Sequence, residues 1–120
     1  MDEAPSWTEA LRRLKAERPA ASDPPSPDDL GPWRERIDAI DEAVIHLLNE
    51  RAAYAAEIGH LKHALGIPVY APKREEEVLA NVLRANPGPL PPEAVRRLFE
   101  RIIDETRSLE RKLHAPPSDD

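Results

Sequence analysis

The 120-residue sequence contains no cysteine, one phenylalanine, two tryptophans and two tyrosines. The absence of cysteine excludes disulfides, thiolate metal sites and cysteine nucleophiles. Because aromatic residues are few, a helical core of Leu, Ile, Val and Ala fits the composition better than a sheet. No apolar run is long enough to span a membrane, and residues 1–30 lack the apolar segment of a signal peptide, so we expect a cytoplasmic protein.

The excess of acidic residues lies at the two ends of the chain. Residues 33–114 carry 13 basic and 14 acidic side chains, whereas residues 1–32 carry 4 and 7. A nearly neutral middle produces no broad basic field, which argues against nucleic acid and membrane surfaces as partners. An anion bound by this middle region must therefore be held by a local cluster of cations.

Residues 1–32 are predicted to form an arm that precedes the main domain. A short helix is expected over residues 6–17, because Ser6 and Glu9 have the spacing of a capping box. The stretch that follows is rich in proline, which cannot sustain a helix or a sheet and is typical of an extended linker. The main domain is therefore predicted to span residues 33–114, followed by a disordered tail over 115–120.

The main domain is predicted to be all-α, with three helices per chain. A long helix is expected over residues 33–65, which hold no proline, a short one over 73–85, and a medium one from Pro91 or Pro92 to about Leu113. The apolar face of the long helix extends over about 50 Å, more than one small domain can cover. We therefore expect an intertwined helical homodimer.

Two cations interrupt the apolar face of the long helix. Arg51 and Lys62 are eleven residues apart, which places them about 20° from alignment and about 16 Å apart along the helix axis. Their side chains could simply extend along the apolar surface to water. Two cations on one face favour a different interpretation, in which a small anion between them supplies the missing partner, because an unpaired buried charge costs several kcal/mol.

Other polar residues extend this pattern, each with an alternative interpretation. Arg34 is too far along the helix to meet the same ligand, but it could complete the site of a partner in an antiparallel dimer; alone, it would be a surface charge. Thr106 and Glu110 lie four residues apart on the apolar face of the third helix. Taken alone, Glu110 is predicted to be partly exposed at the edge of that face rather than part of a buried site. The four histidines, His46, His60, His63 and His114, are predicted to be exposed or capping residues, without a third convergent ligand for a metal.

The segments WRERIDAIDEAVIHLLNERAAYAAEIGHLK, IPVYAPKREEEVL and LFERIIDETRSLERKL, taken together, resemble the all-helical chorismate mutases of the AroQ class. The resemblance covers residues 33–113, with the ID-x-ID start, the ER pair, the IG-x-x-K end and the RE pair in the same order. Four ordered blocks with matching spacing form a specific pattern, unlike a single short motif.

The resemblance implies a set of substrate-binding and catalytic residues. Arg34 from the other subunit, together with Arg51, Lys62 and Arg74, would hold the two carboxylates and the ether oxygen of chorismate. Glu75 would bind the ring hydroxyl, Thr106 would lie near a carboxylate, and Glu110 would hydrogen-bond the ether oxygen. Lys62, Glu110 and Arg51 would be catalytic. Ala71 stands where some members have an aspartate, so a side-chain contribution there is missing.

The resemblance also implies the reaction, an intramolecular rearrangement of chorismate to prephenate in the shikimate pathway to phenylalanine and tyrosine, without cofactor or metal. Glu110 would have to carry a proton to help, so activity should fall as pH rises. Two alternatives remain: an isochorismate-pyruvate lyase on the same scaffold, and a non-catalytic helical module for dimerisation or regulation. The arm around Trp7 is a candidate docking segment for its own dimer or for another enzyme of the pathway.

Overall fold

The computed structural model describes residues 6–114. These residues form no strand, in agreement with the all-α prediction, but they contain four α-helices rather than three, because the helix of the arm adds to those of the main domain. The predicted tail at 115–120 and the side chain of Trp7 lie outside the described residues. The helices are α1 (Ser6–Ala16), α2 (Leu30–Leu65), α3 (Pro72–Ala85) and α4 (Pro92–His114).

The long helix α2 begins earlier than predicted, at Leu30 rather than at residue 33. Pro32 did not end the helix because it lies in the first turn, where a missing N–H loses no intrahelical hydrogen bond. A short 3-10 turn, Pro27–Asp29, directly precedes α2. The extended linker is therefore shorter than its proline content indicated.

Asp29 organises the turn before α2. Its carboxylate accepts hydrogen bonds from the main-chain N–H of Ser26 at 2.8 Å and from the hydroxyl of Ser22 at 2.7 Å. The Ser26 hydroxyl in return accepts from the N–H of Asp28, which completes a capping box. The hydrogen bond from the Ser26 N–H lowers the pKa of the Asp29 carboxyl most, and the hydrogen bonds from Ser22 lower it further. Together they hold this pKa below its usual value of 3.8.

The chain divides into two compact units, one up to Leu47 and one from Leu48 onward. In the second unit, α3 packs against α4, and Ala55 and Gly59 of α2 are buried together with Val95 and Ile103 of α4. Small residues on α2 let another helix approach closely. A side chain built on Gly59 would place its Cβ 3.3 Å from both the Cα and the main-chain oxygen of Glu110 on α4.

The end of α2 is fixed by a glycine in the left-handed conformation. Gly66 has a φ of 69°. The N–H of Gly66 donates to the oxygen of His63, and the N–H of Ile67 donates to the oxygen of Lys62, which is the hydrogen-bond pattern of a Schellman motif. The chain thereby turns away from the α2 axis and leads through residues 67–71 into α3, which starts with Pro72 in the first position.

Many large apolar side chains of α2 remain exposed in the single chain. They share the apolar face predicted from the sequence and comprise Ile37, Ile40, Val44, Leu47, Ile58, Leu61 and Leu65. Among the described residues, the buried hydrophobic side chains are limited to Ala55, Val95 and Ile103. None of the helices of residues 6–114 is long and apolar enough to cross a membrane.

Candidate active site

A pocket of about 420 Å³ lies within the second unit, between α2, α3, α4 and the segment that joins α2 to α3. Its volume is within the range of pockets that hold small metabolites. Apolar side chains form much of its wall, and charged residues project into it from each helix. The lining residues are Arg51, Tyr54, Ala55, Ile58, Lys62, Val69, Ala71, Arg74, Glu75, Val78, Ile103, Thr106, Arg107 and Glu110.

Two hydrogen bonds hold Lys62 in the pocket wall. Its Nζ donates to Glu110 Oε2 at 3.1 Å and to the main-chain oxygen of Val69 at 2.9 Å. The two charged side chains are largely buried, with 17% of Lys62 and 13% of Glu110 exposed. Glu110 is less exposed than its sequence position alone favoured, and its main chain lies close to Gly59 of α2.

Arg51 occupies a different electrostatic position. Its Nη1 donates to Thr106 Oγ1 at 3.1 Å, and that hydroxyl lies within hydrogen-bond distance of the main-chain oxygens of Ile102 and Ile103. Within the described part of the chain, no carboxylate forms an ion pair with Arg51. Burial lowers the pKa of Arg51, and repulsion by Arg74 lowers it further, against a weaker effect of the Glu110 carboxylate that raises it.

The first turn of α3 supplies Arg74 and Glu75. Arg74 pairs with Glu77 on the exposed side of the helix at 3.4 Å, a weak contact at the surface. Glu75 is bound by Arg107 of α4 through two hydrogen bonds, from Nε at 3.0 Å and from Nη2 at 2.7 Å. The hydrogen bonds to Glu75 raise the pKa of Arg107 above its ordinary, already high value, so its guanidinium stays charged.

The pocket carries an excess of two positive charges. Four cations line it against two carboxylates, Glu75 and Glu110. Each carboxylate is paired with one cation, Arg107 or Lys62, so the charges of Arg51 and Arg74 are not neutralised inside the pocket. A ligand with two negative charges would balance this set, and burial would strengthen the attraction compared with bulk water.

The structure brings six of the seven predicted site residues into this pocket, namely Arg51, Lys62, Arg74, Glu75, Thr106 and Glu110. The seventh, Arg34, belongs to the first unit and is not among the lining residues. The alternative for Arg51 and Lys62, side chains extending along the helix to water, does not describe them, because both are part of the pocket wall. Ala71 also lines the pocket and begins α3 as its N-cap, without a side-chain hydrogen bond.

Sequence reasoning missed two side chains and one main-chain group. Arg107 and the Val69 carbonyl contact predicted site residues, and Tyr70 lies beneath Arg107 with its ring centroid 5.5 Å from the guanidinium carbon. Arg107 directly follows Thr106 in the sequence, but neighbouring residues of a helix point in different directions, so this position gave no signal. Its partner Glu75 is 32 residues away on another helix, and the periodicity of a single helix predicts no contact over that distance.

This fold and pocket define a class of protein: an all-helical domain with a small, partly apolar pocket that carries an excess of positive charge. Residues 33–111 match the family described as chorismate mutase type II, which is about two thirds of the chain. The chain therefore belongs to the type II chorismate mutase family. The match confirms the resemblance that the sequence motifs indicated.

Individual relatives agree with this assignment. A bifunctional chorismate mutase/prephenate dehydratase of Neisseria gonorrhoeae is 46% identical over 82 residues, which cover 68% of this chain and 22% of the relative. A 4-amino-4-deoxychorismate mutase of Streptomyces pristinaespiralis is 33% identical over 81% of this chain and 76% of the relative. A solved chorismate mutase structure from Thermus thermophilus has a TM-score of 0.66 and 42% identity, covering 67% of this chain and 91% of that one. The chain spans about a quarter of the length of the bifunctional relatives it matches.

Proposed function

We propose that this domain catalyses the rearrangement of chorismate to prephenate, a step of aromatic amino acid biosynthesis in the cytoplasm. The observation that carries the proposal is the excess of positive charge in the pocket, where Arg51 is partly buried on an apolar helix face and forms no ion pair with a carboxylate of residues 6–114. Chorismate carries two carboxylates, which would neutralise this excess. In the reaction a carbon–oxygen bond breaks while a carbon–carbon bond forms within one molecule, so the domain must chiefly fold and orient its substrate.

Orientation of the substrate is the first task of the cations. Arg51 and Arg74 each present a planar guanidinium that can bind a carboxylate through two parallel hydrogen bonds. Fixing both carboxylates would hold the flexible enolpyruvyl group over the ring, and such pre-organisation removes part of the entropic barrier of the reaction. Thr106 would support this contact by keeping the Arg51 side chain in place through the 3.1 Å hydrogen bond.

Stabilisation of the transition state is the task of Lys62 and Glu110. Negative charge grows on the ether oxygen as the carbon–oxygen bond breaks, and Lys62 can donate a hydrogen bond to it. An ionised Glu110 has no proton to donate and would repel that charge. We therefore propose that Glu110 is protonated in the productive complex, where it donates to the ether oxygen. Because these contacts strengthen toward the transition state, they raise the rate rather than only the affinity.

We propose that the active form is a homodimer in which Arg34 of one subunit completes the site of the other. Support comes from the exposed apolar face of α2, where Ile37, Val44 and Leu47 are each about half exposed in the single chain. A helix of 36 residues measures about 54 Å, so an antiparallel partner would bring its first turns past the middle of this one. Co-expression of Arg34→Ala with Arg51→Ala subunits tests the proposal, since mixed dimers would regain one intact site.

The substrate itself is tested by product identification. Purified protein is incubated separately with chorismate and with isochorismate, and the products are identified by NMR. We expect prephenate from chorismate and no pyruvate from isochorismate. Pyruvate release from isochorismate would support the lyase instead, and no turnover of either compound would support a non-catalytic module.

A second candidate substrate follows from the Streptomyces relative, whose name describes a mutase acting on 4-amino-4-deoxychorismate. That compound differs from chorismate by an amine in place of the ring hydroxyl. We propose the hydroxyl compound for this domain, with Glu75 as the residue that accepts its hydrogen bond. The matched residues cover about a quarter of the bifunctional relatives. We propose the arm as the docking segment for another enzyme of the pathway.

A further inference from the structure

Arg107 links three parts of the pocket wall. Its guanidinium binds both oxygens of Glu75 on α3, at 3.0 and 2.7 Å, and lies over the ring of Tyr70 in the segment before α3. The side chains of Arg107 and Glu75 are each 24% exposed, so the pair is shielded from most of the solvent. A third contact, from Nη2 to Asp104 at 3.2 Å, lies at the surface, where Asp104 is 57% exposed. The geometry is a two-bond guanidinium–carboxylate pair with a fixed orientation.

This pair changes what Glu75 can recognise. A free carboxylate in a partly buried site would attract a cation strongly, because the surroundings screen charge less than water does. The charge of Glu75 is already offset by Arg107, and a second cation placed against Glu75 would also be repelled by the guanidinium. A neutral hydroxyl is not repelled by the guanidinium. It can still donate to Glu75, since a carboxylate has about four acceptor positions and Arg107 uses two.

We propose that Arg107 is a positioning residue that makes the Glu75 position select a neutral ring hydroxyl over a ring ammonium. This inference rests on the proposed function and deepens it, because it assigns the residue that decides between the two candidate substrates. Arg107 acts through Glu75: it fixes the carboxylate in one orientation and cancels its charge. The Tyr70 ring keeps the guanidinium in place by a cation–π contact.

The test compares kcat/KM for chorismate and for its 4-amino analogue in the wild type, in two Arg107 variants and in a control variant. In Arg107→Met, which keeps the apolar stem but removes the charge, we expect kcat/KM with chorismate to fall about tenfold. The ratio of hydroxyl to amine substrate should fall by at least about tenfold, because the uncompensated Glu75 attracts the ammonium. In Arg107→Lys, which keeps the charge but lacks the planar fork, the ratio should stay close to that of the wild type while turnover remains reduced.

Arg111→Met is the matched control, since Arg111 lies on the same helix with an exposed side chain. It should leave both substrates unaffected. Equal losses with both substrates in Arg107→Met, at an unchanged ratio, would show a merely structural role and overturn the inference while leaving the mutase function intact. A wild type that converts neither substrate would instead overturn the proposed function and this inference with it.

Discussion

The substitution Glu110→Gln tests whether Glu110 acts as a hydrogen-bond acceptor in the free pocket and as a donor in catalysis. In the free pocket its carboxylate accepts a hydrogen bond from Lys62 at 3.1 Å, whereas catalysis needs a donor toward the ether oxygen. Glutamine offers both functions at every pH: its oxygen accepts from Lys62, and its amide donates to the substrate. The variant should therefore keep its activity at a pH where the wild type loses it.

The magnitude follows from single-group titration. If catalysis requires a protonated Glu110 in the complex, kcat at saturating chorismate should fall by up to about tenfold for each pH unit once that form is lost. The replacement should cost about 1 kcal/mol of folding stability, because the Lys62–Glu110 ion pair becomes a hydrogen bond between one charged and one neutral side chain.

The assay is the initial rate of chorismate consumption between pH 5 and about pH 9, for both proteins in the same buffers at constant ionic strength. We expect a falling profile for the wild type and a flat one for Glu110→Gln, so that the variant becomes the faster enzyme at high pH. Parallel profiles would refute the argument, since they would show that the ionisation of Glu110 has no part in catalysis.

Two further predictions follow from the geometry. Gly59→Ala should lower kcat/KM about tenfold, because its Cβ would lie 3.3 Å from the Glu110 main chain and displace that residue. The melting temperature should change little, because the higher helix propensity of alanine offsets the steric strain. Unchanged kinetics would contradict this prediction. Asp29 should titrate below 3.8 by carboxyl NMR. Because its folded pKa is lowered, its hydrogen bonds stabilise the turn above about pH 4 and are lost as pH falls through the folded value, and the Ser26 amide should shift with them. A titration at or above 3.8 would contradict the structure at this turn.

The sequence predicted the helices well because their ends carry strong local signals. Gly66 ends α2 and Pro72 and Pro92 begin α3 and α4, close to the predicted positions. The start of α2 was placed three residues too late because Pro32 was interpreted as part of the linker. Proline breaks a helix interior but is compatible with its first turn, and the pattern of prolines alone does not distinguish the two cases.

The site was predicted less completely than the fold. The spacing of Arg51 and Lys62 on one helix face could be derived from the period of the helix, and both line the pocket. The burial of Glu110 depends on how closely α4 approaches Gly59, which is a tertiary property. Arg107 was missed because a charged residue within a polar stretch is typical of an exposed face, and its pairing with a residue on another helix has no signature in a single sequence.

We propose that Arg51 serves to bind a ligand and not to stabilise the fold. Its guanidinium is partly buried, its pKa is lowered by burial and by Arg74, and its side-chain hydrogen-bond partner within the described residues is the neutral hydroxyl of Thr106. Replacing it by methionine removes an uncompensated charge and keeps most of the apolar stem. The effects on folding and on catalysis should therefore have opposite directions.

The decisive measurement is the melting temperature and the kcat/KM with chorismate of Arg51→Met beside the wild type. We predict an unchanged or higher melting temperature together with a loss of about 100-fold or more in kcat/KM, the cost of removing one partner from a buried charge pair with the substrate. A variant that retains its activity, or one that loses activity only in proportion to lost stability, would contradict the claim that this cation is part of a dianion site.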